Sequence, residues 1–99
     1  MSIPTAVPFY LVIEGSFDPY VAERDVEACT WAGTVKDIAD CQFENLTSVI
    51  EVGTGRNVAD RMVREAAELR NIEGREYSHV MFKLVELHIG TRVAHAMVR

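Results

Sequence analysis

The chain has 99 residues, 48% of them hydrophobic and 25% charged, with a formal charge of −5. That length suits one domain with a modest core and is too short for two. The apolar content excludes a disordered chain, and the acidic balance argues against non-specific nucleic-acid binding. The charge is uneven. Residues 1–52 hold nine acidic against two basic residues, whereas residues 53–99 hold six acidic against eight basic.

No basic segment precedes the first apolar run, Phe9–Ile13, and its five residues are fewer than a signal core or a membrane span needs. The expectation is a cytoplasmic protein, off the membrane, with Cys29 and Cys41 reduced. "VPFYLVIEG" reads as a strand. Val7, Phe9, Leu11 and Ile13 share one face, and Tyr10 and Val12 lie on the other, outward one. "GSFDP" is turn chemistry. "YVAERDVEA" reads as a second strand paired with the first, its Glu23, Asp25 and Glu27 on a solvated face.

"TWAGTVKDIADCQF" predicts a helix from Trp31 to Gln42, with a stripe of Trp31, Val35, Ile38 and Gln42 widened by Ala39. Thr34 and Asp37 also have capping-box spacing, which would start the helix later. "TSVIEV" is a third strand, with Ile50 and Val52 on one face and Val49 on the other. "NVADRMVREAAELRN" is the strongest helix. Asn57 suits its N-cap, and Ala59, Met62, Val63, Ala66 and Leu69 form a buried stripe. Asp60/Arg64 and Arg61/Glu65 are spaced as four-apart ion pairs.

"YSHVMFKLVELHIG" is a third helix ending at Gly90, apolar nearly all round. The tail "TRVAHAMVR" stays apolar. This order, β-β-α-β-α-α, predicts a single α+β domain over residues 1–99, with its core at about 7–90. Its form is a two-layer sandwich, a mainly antiparallel three-stranded sheet with the first strand central and helices packed on one face. Covering the third helix and residues 91–99 calls for a second copy, so a homo-oligomer, a dimer first, is expected. Its interface candidates are Val85, Ile89, Val93 and Met97, with Tyr10 and Val12 from the sheet.

"EVGTGRN" resembles the glycine loop of nucleotide-dependent methyltransferases, in which the backbone approaches a ligand at a helix N-terminus. Gly53 and Gly55 are present, but Asn57 stands where a third glycine would be, and no strand follows to complete a doubly wound site. The reading is a tight strand-to-helix turn, with Gly53, Gly55, Arg56 and Asn57 kept as an anion-site candidate and no cofactor assigned. His79, His88 and His95 are not spaced for shared metal coordination, and Cys29 and Cys41 lack a CxxC setting, so no metal is assigned. No serine sits in a nucleophile-elbow setting, and no catalytic residue is assigned.

Several segments together carry a resemblance: "YLVIEGSF", "TVKDIADCQF", "SVIEV" and "VADRMVREAAEL", followed by a short apolar helix. From Tyr10 to Gly90 the chain resembles a group of short bacterial proteins of similar length and unknown function. The resemblance implies a single α+β domain and carries over no catalytic residue.

The leading functional expectation is a non-enzymatic protein–protein interaction module, regulatory or accessory to a larger protein partner, acting as a homo-oligomer. One alternative is a mobile-element inhibitor of a nucleic-acid enzyme that offers its acidic half as a decoy surface. The other is a binder of a small anion or nucleotide at Gly53–Asn57.

Overall fold

The computed structural model describes residues 9–76 and 78–97. Val7 and the side chain of Met97, both named above, lie outside the described residues. Three strands, β1 (Phe9–Glu14), β2 (Tyr20–Val21) and β3 (Leu46–Val52), form an antiparallel sheet in the order β2-β1-β3. Helices α1 (Trp31–Ala39), α2 (Ala59–Ile72), α3 (His79–His88) and α4 (Thr91–Met97) complete the described chain. The architecture is the α+β sandwich expected, with β1 central and the helices packing against the sheet.

The inner face differs from the expectation. Tyr10 (3% exposed), Val12 and Val49 (both 0%) are core residues beneath the helices, not outward ones. In β1 both faces are apolar, so alternation alone does not tell which one is covered. The helices select the face that joins Val12 and Val49, which stand opposite each other, to Ile38, Met62 and Val63.

The second strand is also shorter than expected. The ladder with β1 covers Tyr20 and Val21, and Ala22 N still donates to the Val12 carbonyl (2.9 Å). The chain then turns through a 3-10 segment at Val26–Ala28 before the Cys29 carbonyl accepts from Tyr10 N (2.9 Å). Between β2 and the 3-10 segment lies Arg24, whose side chain is only 6% exposed. Its Nη1 donates to Thr34 Oγ1 (3.1 Å), and its Nη2 donates to the Ala28 carbonyl (2.6 Å) and the Asp37 carboxylate (3.0 Å). A buried cation needs such partners, and among the described residues its Nε is left without one.

Helix α1 starts at the Thr30 cap, whose hydroxyl accepts from Gly33 N at 3.0 Å. Thr34 is not a cap; it is buried and serves Arg24. The helix stops at Ala39 rather than Gln42, because Cys41 adopts the left-handed conformation (φ 59°) and turns the chain out. Gln42 is therefore exposed.

Helix α2 buries Ala59, Met62, Val63, Ala66 and Ala67, with Leu69 partly buried beside them. Asp60 and Glu65 make contacts across elements: Asp60 meets His88, and Glu65 accepts from Trp31 Nε1 at 2.6 Å. Ser78 caps α3 by accepting from Met81 N at 3.2 Å. Gly90 (φ 147°) ends that segment, and α4 folds back so that Ala94 is fully buried. Much of α3 is thus covered from within the chain. Val85 (0% exposed) is interior and, like Tyr10 and Val12, is not available as an interface residue.

Gly33 sits where a Cβ would lie 2.6 Å from the Ala28 carbonyl oxygen. At an open helix position Gly→Ala stabilises by about 1 kcal/mol. Here backbone would have to move, so Gly33→Ala is expected to destabilise by about 1–3 kcal/mol. The measurement is a urea midpoint with unchanged slope; an equal or higher midpoint would show that the segment before α1 yields without cost.

Candidate functional site

The glycine loop after β3 is a closed turn. Gly53 (φ 108°) and Gly55 (φ 72°) adopt conformations that favour glycine. Gly55 N donates to the Glu51 carbonyl (2.9 Å), Glu51 N to the Arg56 carbonyl (2.8 Å) and Val58 N to the Val49 carbonyl (2.8 Å). Asn57 Oδ1 accepts from Val49 N (3.1 Å) and Ala59 N (3.0 Å), so it caps the first turn of α2 from one residue before the assigned boundary.

Gly53, Gly55, Arg56 and Asn57 are therefore brought together, but around a carboxylate. Glu51 accepts from Thr54 Oγ1 (2.7 Å) and from the Tyr10 hydroxyl (3.0 Å), and Arg56 Nη2 stands 3.9 Å from it. A phosphate cradle requires converging amides without a competing anion. Here several of the amides close the turn, and Glu51 repels a second negative group. The geometry favours the turn over a ligand loop. The Thr54 and Tyr10 hydroxyls hold the Glu51 carboxyl below the usual glutamate range. Burial, reinforced by Glu51, pushes the Tyr10 phenol up.

The outer face of the sheet is the larger feature. Directly opposed pairs share a face, so Phe9 with Val52, Leu11 with Ile50, and Ile13 with Val21 all point away from the helices. Phe9, Leu11, Ile13 and Ile50 are half-buried, and Val52 and Val21 are 49% and 51% exposed. Among the described residues no helix covers this face. An antiparallel sheet with one face in water normally presents polar residues there. Beyond its edge, Phe17 in the β1–β2 turn is fully exposed, whereas Tyr20, 56% exposed, pairs with Glu14 and lies on the opposite face from Val21.

The remaining candidates are dispersed. Ile89 is half-buried, and Val93 is 39% exposed on α4. Glu23, Asp25 and Glu27 are all exposed but follow the end of β2 and do not line a strand face. His88 is nearly enclosed, Nε2 at 2.9 Å from the Leu46 carbonyl and Nδ1 at 3.2 Å from Asp60. His95 stacks edge-on against Phe82, with ring centroids 5.3 Å apart. Cys29 is buried, and Cys41 Sγ lies 3.0 Å from Ser78 Oγ. Sequence reasoning missed the Arg24 and His88 contacts, for which a single chain carries no local signal. It placed Ile50 and Val52 on one face, yet did not assign that face to an interface.

The chain matches no family model, no curated protein and no solved structure.

A carboxyl group held low in the folded state stabilises the fold above its ordinary range, and that contribution is lost as pH falls through the lowered value. For Glu51 the expected loss lies below about pH 5. Glu51→Gln should therefore show a shallower fall of Tm on acidification than the unaltered chain. Parallel Tm curves would mean that Glu51 is not linked to folding.

Proposed function

We propose that the protein is a non-enzymatic interaction module that pairs with a second copy of itself through the outer face of its sheet. The observation that supports this is the apolar set Phe9, Leu11, Ile13, Val21, Ile50 and Val52 on a face that no helix covers among the described residues. Two such faces stack isologously, as sheets do in a sandwich, about 10 Å apart. Strand spacing and rise give the bare face roughly 300 Å² per partner. A standard interface needs about 800 Å² per partner. The contact therefore has to draw in the exposed Phe17 in the turn at the sheet's end, and the dimer is concentration-dependent. This reading moves the interface from the third helix and tail to the sheet, because Val85, Tyr10 and Val12 are interior.

Light scattering across a concentration series tests it. The expected result is a dimer that becomes a monomer in Leu11→Lys/Ile50→Lys with the far-ultraviolet dichroism retained, and that persists in Leu87→Ser. A strict monomer at every concentration, or a dimer indifferent to the lysines, overturns it.

A further inference from the structure

On the side of the molecule built by the end of α2, the turn after it, α3 and α4, a cleft of about 680 Å³ opens. That volume lies within the range that holds small organic ligands. Its apolar lining includes Met81, 2% exposed, with Phe82, Ile89 and Val93. Arginines 64, 70 and 75 also line it, against Glu68 and Glu76.

Arg70 distinguishes this cleft from an ordinary ion-paired surface. Its Nη1 donates to the Ala39 carbonyl (2.6 Å) and its Nη2 to the Glu76 carbonyl (2.6 Å), both neutral acceptors. Arg75, by comparison, is paired with Asp40 at 2.8 Å and Glu73 at 3.4 Å, and Arg24 with Asp37 at 3.0 Å. Among the described residues no carboxylate lies within ion-pair distance of Arg70, and its one further contact, from Nη1 to Cys41 Sγ at 3.8 Å, is also not to a carboxylate. A half-buried guanidinium pinned in place without a counter-ion attracts an anion, and its planar edge suits a carboxylate. The apolar lining beside it suits a hydrocarbon or aromatic body rather than a bare inorganic ion.

We propose that this cleft binds a small amphipathic carboxylate, its head on Arg70 with Arg64 adding positive charge, and its apolar body against Phe82, Ile89 and Val93. The site is independent of the sheet face, and the two proposals fail separately.

The test is titration calorimetry of the full chain with octanoate, with 1-octanol as the uncharged control. Octanoate is expected to bind saturably, at least about tenfold more tightly than 1-octanol. Arg70→Gln would also sever the links to Ala39 and Glu76, so the informative variants are elsewhere. Ala96→Trp, at an exposed position lining the cleft, is expected to weaken octanoate about tenfold or more by occupying its space. Arg64→Gln weakens it less, and Leu11→Lys on the sheet leaves it unchanged. Equal affinity for octanoate and octanol, binding unaffected by Ala96→Trp, or no saturable heat at millimolar octanoate each overturns the proposal.

Discussion

The pairing of Val12 with Val49 across β1 and β3 is the constraint on which the rest of the molecule depends. Side chains alternate across a strand with a period of two, so this register assigns Phe9–Ile13 and Ser48–Val52 to their faces at once, and the bulge beyond Ile13 lets Leu46 join the core. It places Tyr10 beneath the helices, where its ring meets Trp31 edge-on at 5.4 Å and its hydroxyl reaches Glu51. It sends Phe9, Leu11, Ile13, Ile50 and Val52 to the opposite side. A slip of one residue would exchange the two sets, exposing the core and burying the present outer face.

The helices are tied to this sheet by a few polar contacts made where apolar packing ends. Arg24 joins the segment after β2 to α1 through Thr34, Ala28 and Asp37, and its guanidinium lies over Phe43 at 5.3 Å. His88 does the same at the end of α3, reaching the start of β3 and the start of α2. The Leu46 carbonyl and the Asp60 carboxylate are both acceptors, so each ring nitrogen of His88 faces a group that takes a hydrogen bond. Trp31 reaches Glu65 on α2, with the Arg61 guanidinium over its ring at 5.1 Å. The Arg24 contacts and the His88–Leu46 contact give partners to part-buried polar groups, and each contact links residues at least four positions apart.

Among the described residues two surfaces remain after this assembly, and they differ in chemistry. The outer sheet face is broad, shallow and apolar, which suits another sheet. The cleft among α2, α3 and α4 is narrower and holds a fixed cation at its edge, which suits a small amphipathic anion. The glycine loop lies between strand and helix, and its backbone bonds and Glu51 are directed inward to the turn itself. Its two glycines serve backbone geometry.

Much of the local structure was legible in the sequence because it depends on neighbours in the chain. The stripe of α2, the strand character of β1 and β3, the stop at Gly90 and the antiparallel order all follow from periodicity and turn chemistry. The asparagine that caps α2 and the tight turn before it were legible for the same reason. The covered side of β1 was not, since both its faces are apolar and only the partner helices choose between them. The partners of Arg24 were not, because Thr34 and Asp37 reach it only once α1 has packed. The closure of α3 by α4 was not, because apolarity all round a helix states that it needs cover without stating whose. Local pattern thus determined the elements and their order, whereas the buried face, the paired charges and the two open surfaces were decided by contacts between residues distant in the chain.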